Sequence, residues 1–326
     1  LQGEELLAFY QTPQDWAQLD NQRLQEIMPT GRFVAYHVAL AQFLGGMFGL
    51  ISLLVRLSLL PAYYERVEPI LKTATENEAG AADPGEVEGR IDIENVFFRY
   101  APDAPLILKG ISLRADPHEM IAIVGPSGAG KSSLIRLILG FEKPEGGSIY
   151  LDGKDISNLD KHAMRRRFGV VMQNGRLLAG SVHQNIAGGA QLSREQVMEA
   201  VRLAGFDRDL AEMPMGLDTH LSEGASTLSG GQRQRLMIAR AVVHRPRVLI
   251  FDEATSALDN RSQKVVTEGL ERLNSTRILI AHRLSTIVHA DRIYVIDQGT
   301  VVETGTYETL LAGDGLFAKL ARRQML

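Results

Sequence analysis

Hydrophobic positions fall into distinct textures along the chain. Residues 33–60, FVAYHVALAQFLGGMFGLISLLVRLSLL, form its longest apolar run. About 20 helical residues cross a hydrocarbon core, so a run of 18 or more apolar residues is a candidate membrane span. Val38 to Val55 meets that test apart from Gln42 and Ser52. As one helix the run would reach roughly 42 Å, more than a bilayer core needs. Gly45, Gly46 and Gly49 make a small face that lets another helix approach closely. In a water-exposed helix each would cost about 1 kcal/mol against alanine, so packing is the reason for them. The alternative is a buried core helix. Residues 33–71 read as one long helix with bends at Pro61 and Pro69.

The texture then changes twice. KTATENEAGAADPGEVEGR (72–90) is small, acidic and punctuated by proline and glycine, which predicts a linker. From Ile91 strands and helices alternate. RIDIENVFFRY and GGSIYLDG read as half-buried strands bounded by turns. MIAIVG (120–125), RVLIFDE (247–253), RILIAH (277–282) and RIYVID (292–297) are continuous apolar runs, the pattern of parallel strands buried on both faces. Helical patterns lie between them, notably over 131–139 and 231–244. This order predicts an α/β layer on a mostly parallel sheet with an antiparallel subdomain.

Composition narrows the classes. The 326 residues are 45% hydrophobic and 23% charged, with net charge -4. Scattered Lys and Arg give no nucleic-acid footprint, so no nucleic-acid partner is expected. There are no cysteines. Disulfides, thiolate metal sites and a cysteine nucleophile are therefore excluded within these residues. A chain opening on Leu1 reads as a fragment or a processed product. The apolar run lacks the basic leader and cleavage site of a signal peptide.

GPSGAGKSS (125–133) follows a buried strand and opens a helix, fitting Gly-x-x-x-x-Gly-Lys-Ser in the context that pattern needs. Backbone amides of Gly125, Pro126, Ser127, Gly128, Ala129, Gly130, Lys131, Ser132 and Ser133, as far as each has one, wrap phosphate together with the helix N-terminus. Lys131 adds a full positive charge, and the Ser132 hydroxyl suits Mg²⁺. In VLIFDE, Asp252 ends a buried strand, placed to hold Mg²⁺, and Glu253 follows as a candidate general base. TLSGGQRQRLMIARA (227–241) begins with a hydroxyl and two glycines at a helix start, a second anion site. One phosphate loop does not need two cradles.

At this point LSGGQ resembles the signature of ABC-transporter ATPases, in which two domains sandwich two ATP molecules head to tail. The resemblance implies a phosphate-loop nucleotide-binding domain over 91–326 with a mixed, mainly parallel sheet core, an antiparallel β subdomain and a helical subdomain. A fragment of a transmembrane domain (1–71) precedes it, with the span at 33–60. It implies ATP and Mg²⁺ as ligands, with Ser132, Gln173 and Asp252 toward the metal. Ser229, Gly230, Gly231 and Gln232 would meet the nucleotide held by the partner, and Asp259 in SALD would cross the dimer interface. Tyr100 in FRYAP would stack on adenine. Gln173 would touch Mg²⁺ and the attacking water, His282 would contact the γ-phosphate, and Glu223 would reach the opposite chain's membrane helices.

MPTGRF, LLPAYYERVEPIL, NIAGGA and EMPMG resemble most closely the bacterial peptide exporters associated with nitrile-hydratase-type leader peptides. That implies a bacteriocin-like peptide substrate and a second half-transporter, as homodimer or heterodimer. It also implies a bacterial inner-membrane location with the ATPase in the cytoplasm. Family half-transporters have six spans, whereas this sequence shows one. Lys131, Asp252, Glu253 and His282 all keep the active identity, which predicts a hydrolytic site. Two other readings stand beside export of a peptide: export of a lipid or drug, and a soluble ABC-type ATPase acting on DNA or ribosomes.

Overall fold

The structure is a computed structural model and describes residues 30–73, 76, 81–173, 175–225, 227–252, 259–280 and 284–325. The chain divides into two compact units, residues 1–75 and 76–326.

The first unit contains one described helix, α1 (Thr30–Lys72), whose 43 residues extend about 65 Å. Bulky apolar side chains, among them Phe33, Phe43, Phe48, Leu54 and Leu60, stand exposed around its circumference. A helix that is apolar all round belongs in a core or in lipid. None of its most apolar 18-residue window is buried among the described residues. By length and composition it is sufficient to cross a membrane. The helix continues unbroken through Pro61 and Pro69. Each ring removes one amide donor without ending the helix.

The second unit begins with β1 (Ile91–Phe98) and β2 (Leu108–Ala115), then β3 (Met120–Val124) and α2 (Lys131–Ile138). β4 (Gly146–Leu151), β5 (Lys154–Asp155), α3 (Lys161–Arg165), β6 (Phe168–Val171) and β7 (Gly180–Ser181) follow. A helical stretch holds α4 (Val182–Ala187), α5 (Arg194–Leu203), α6 (Asp207–Ala211), the short β8 (His220–Leu221) and α7 (Gly230–Val242). The chain then returns to the sheet through β9 (Val248–Asp252), α8 (Asn260–Glu271), β10 (Thr276–Ile280), α9 (Leu284–Ile287), β11 (Arg292–Asp297) and β12 (Thr300–Gly305). Helices α10 (Tyr307–Ala312) and α11 (Leu316–Met325) close it.

The main sheet runs in the order β12-β11-β3-β10-β9-β6, parallel except for the antiparallel edge strand β12. The four apolar runs read from the sequence are β3, β9, β10 and β11. β3 and β9 are buried at every position, because both faces of the sheet are covered. Successive residues of one strand enter different cores. Ala122, Leu249, Phe251 and Leu279 pack with α4, α5, α7 and α8 on one face. Ile121, Ile123, Ile250 and Ile278 pack on the other with α2 and the antiparallel sheet β2-β1-β4-β5.

Residues 81–90 lie along this unit. The Ala82 amide donates to the Asn158 carbonyl at 3.0 Å. The Asp152 carboxylate accepts from the amides of Glu88, Gly89 and Arg90 at 2.9, 3.0 and 2.7 Å. Glu76 pairs with Arg165, whose guanidinium holds its carboxyl below the usual range and also stacks 4.1 Å over Phe141.

Candidate nucleotide site and comparison with known proteins

Parallel register brings the candidate residues to one edge. Ile123 of β3 pairs with Ile280 of β10, which pairs with Asp252 of β9. Phe251 of β9 pairs with Val171 of β6. The carboxyl ends of these strands, where open α/β sheets bind ligands, carry the phosphate loop, Asp252 and the chain leading to Gln173. Gln173 is exposed two residues beyond β6. Glu253 and His282 lie outside the described residues.

The loop from Gly125 to Gly130 joins β3 to α2. Gly130 is the N-cap of α2 in the left-handed region, φ 101° and ψ 4°. It has no side chain to occupy the first-turn amides, which suits them to phosphate. Gly125 is pressed on β11: a β-carbon there would lie 2.0 Å from the Ile296 carbonyl oxygen. Lys131 is 6% exposed, and its ammonium donates to the Gly125 and Pro126 carbonyls at 2.9 and 2.8 Å. The loop's own carbonyls thus hold the charge at the cradle.

Ser132 is exposed, whereas Ser133 is buried with its hydroxyl 3.1 Å from the Tyr100 hydroxyl. Tyr100 is 53% exposed, and its ring stands edge-on to Phe98 with centroids 4.8 Å apart. Ser133 therefore ties the aromatic to the phosphate loop, a link that adjacency in sequence does not reveal. Asp252 is 4% exposed at the end of β9. A buried carboxylate needs a positive or hydrogen-bonding neighbour. Asp252 and the exposed Ser132 hydroxyl are both oxygen donors of the kind a hard divalent ion such as Mg²⁺ takes.

The second helix start is built differently. The Ser229 hydroxyl accepts from the Gln232 amide at 3.2 Å, and the Gln232 side-chain oxygen accepts from the Ser229 amide at 2.9 Å. This reciprocal capping box fixes both side chains. It leaves the amides of Gly230 and Gly231 for an anion at the N-terminus of α7, a helix of 13 residues. Asp259 caps α8, accepting from the Ser262 amide at 2.8 Å. Glu223 is exposed at the start of a 3-10 turn over Glu223–Ala225.

α7 packs on β6, where Gly169 permits close approach: a β-carbon there would lie 2.3 Å from the Ala241 carbonyl oxygen. β6 stands three strands from β3, about 14 Å at the usual strand spacing. α7, the helix that starts after Ser229, thus packs on a strand three away from β3, which leads into the loop ending at Gly130.

Sequence reading misses the network joining the segment after Gln173 to α7. Arg240 donates to the Asn185 carbonyl at 2.7 Å, the Asn185 side chain at 2.6 Å and the Arg176 carbonyl at 3.1 Å. Asn185 in turn accepts from the Leu178 amide at 2.9 Å. Burial lowers the pKa of Arg240 from its ordinary value. Arg240→Met removes the donors to the Asn185 and Arg176 carbonyls and leaves the Asn185 side-chain oxygen only the Leu178 amide, and is expected to destabilise the fold by about 2 kcal/mol. Urea unfolding of the variant measures this.

Comparison with known proteins agrees with this geometry. The family profile described as ABC transporter matches residues 108–256. The leukotoxin export ATP-binding protein LtxB of Aggregatibacter actinomycetemcomitans is 39% identical over 299 residues, 90% of this chain and 42% of its own length. The cyclolysin secretion/processing ATP-binding protein CyaB of Bordetella pertussis is 45% identical over 265 residues, 80% of this chain and 37% of its own. A bacterial Atm1-family ABC exporter with ATP bound superposes with TM-score 0.80 and 37% identity, covering 86% of this chain and 49% of that one. The chain spans about two-fifths of the length of the curated relatives it matches. A phosphate loop and a signature helix on one mixed sheet, in sequences this similar, give the second unit the fold of an ABC-transporter nucleotide-binding domain.

Proposed function

We propose that this chain hydrolyses ATP in a head-to-tail pair with a second half-transporter and drives export of a protein or peptide across a bacterial inner membrane. The observation that carries the proposal is that the two helices with anion-binding starts, at Gly130 and at Ser229, attach to strands of one sheet that stand three apart. A chain that cannot bring both to one nucleotide can do so across a two-fold axis.

In this reading Tyr100 stacks on adenine, the phosphate loop and Lys131 hold the phosphates, and the partner's signature closes the site. Ser132, Asp252 and Gln173 would hold Mg²⁺, which offsets charge on the phosphate oxygens. Glu253 polarises the attacking water, and His282 steadies the γ-phosphate. Asp259 and Glu223 lie on the partner-facing side. Because ATP is cytosolic, the Leu60 end of α1 faces the cytosol and the Phe33 end the outside. Arg56 can then snorkel to the inner headgroups. A protein or peptide cargo is supported by relatives named for leukotoxin export and cyclolysin secretion. The finer reading, a bacteriocin-like peptide, rests on the sequence wording alone.

Complementation between two inactive chains tests the pairing. Lys131→Ala removes a phosphate-loop charge, and Ser229→Arg fills the signature. Each alone is expected to be inactive. In a mixture about half the dimers pair unlike chains, and each of these holds one complete site. Hydrolysis is therefore expected to recover to about a quarter of wild type. A mixture no more active than its two components would sink the head-to-tail arrangement.

A further inference from the structure

The amino-terminal end of the parallel sheet, opposite the phosphate loop, carries a second concave surface. The end of α5, the loop between α7 and β9, the latter half of α8 and the turn into β10 enclose a cavity of about 620 Å³. Arg202, Arg245, Arg247 and Arg272 line it, with Glu199 and Glu268 as the only carboxylates among the described residues. Glu199 is engaged by Arg245 at 2.6 Å, and Glu268 lies 4.0 Å from Lys264. Arg202, Arg247 and Arg272 have no side-chain hydrogen bond or ion pair among the described residues. This concentration of positive charge occurs in a chain whose net charge is -4.

Guanidinium groups stay charged at every accessible pH, so three around one cavity repel unless an anion answers them. Arg202 and Arg272 sit at the ends of α5 and α8, where a cation also complements the helix dipole. Arg247 precedes β9, away from any helix end, and lines the same cavity. Among the described residues no aromatic ring lines it, so nothing described there is built to stack a nucleobase. The chemistry matched by several planar guanidinium forks is phosphate oxygen. The volume lies within the range of small-molecule sites, about 300–1,000 Å³, with room for a chain of phosphates.

We propose that this cavity binds an oligophosphate group through Arg202, Arg247 and Arg272, as a site separate from the phosphate loop. β9 places about 13 Å between them, from Asp252 at one end to Val248 at the other. A ligand here would also hold together the ends of α5 and α8 and the stretch just before β9.

The test is calorimetric titration of sodium tripolyphosphate into the full 326-residue chain in detergent, carrying Lys131→Ala to disable the phosphate loop. Saturable binding is expected to survive Lys131→Ala. It should weaken about tenfold with Arg202→Ala and again with Arg272→Ala, and weaken further with added salt. Arg272→Lys should retain part of the affinity, since the charge stays and the fork is lost. Both arginines are exposed, so the melting temperature should not change, which separates lost binding from lost fold. ATP titrated in the same background distinguishes the source. Affinity equal to tripolyphosphate assigns the phosphate chain alone, tighter binding assigns a nucleotide, and both support the site. Binding that disappears with Lys131→Ala, or ignores both alanine variants, overturns the proposal.

Discussion

Glu253→Gln is expected to slow ATP hydrolysis by about 10²- to 10⁴-fold while ATP-dependent dimers persist and accumulate. The argument starts from β9, which is buried along its length and ends in Asp252 at the ligand-binding edge of the sheet. Two consecutive carboxylates at a strand end invite a division of labour. The buried one suits a metal ion, and the one that follows can take a proton from water. Glutamine keeps the size of Glu253 and one accepting oxygen but cannot accept that proton. Binding and closure draw on the phosphate loop and the signature instead, so they should remain. Phosphate release measured beside dimer formation by light scattering separates the two. Asp252→Asn provides the contrast, since its loss should fall on Mg²⁺-dependent binding. Full turnover in Glu253→Gln would remove this residue as the base.

Gly125→Ala should damage the fold more than a methyl group at either other glycine of the phosphate loop. Its β-carbon would meet the Ile296 carbonyl at 2.0 Å, and that contact is backbone on a neighbouring buried strand. Relief requires the loop to lift off β11, which would also spoil the cradle. Overpacking of this kind costs about 3 kcal/mol, and ATP binding should be lost with it. At Gly130 the added carbon would lie 2.6 Å from Leu108 Cδ2, the far end of a flexible side chain, with φ 101°. Backbone strain of about 1–2 kcal/mol should dominate there. At Gly128 the space is open and φ is 80°, so about 1 kcal/mol is expected. Urea midpoints should therefore fall in the order Gly125, Gly130, Gly128, largest loss first. Equal losses would mean that the packing against β11 does not govern the loop.

Much of the fold was legible in the chain. MIAIV and VLIFD read as strands buried on both faces, and the structure covers both faces with separate cores. The shorter pieces, such as β5, β7 and β8, span two residues each and carry no periodicity to read. The capping box at Ser229 was visible as Ser-x-x-Gln but overlapped a motif with another meaning. Its two side chains hold the helix start, so the anion is left to the glycine amides. Asn185 and Arg240 gave no signal, because their hydrogen bonds join residues 55 apart in the chain.

The sequence by itself determined the chemistry at each helix start. Glycines, a lysine and a hydroxyl within nine residues after a buried strand are enough to describe a phosphate cradle, and that information is local. Only the tertiary structure decided how the two cradles stand to one another. Their separation follows from the order β3-β10-β9-β6, which depends on which strand edges and buried faces pair across long stretches of chain. No local pattern encodes that order. The same holds for the arginine cavity, whose residues come from three separate stretches of the sequence and meet only where α5, α8 and the approach to β9 end together.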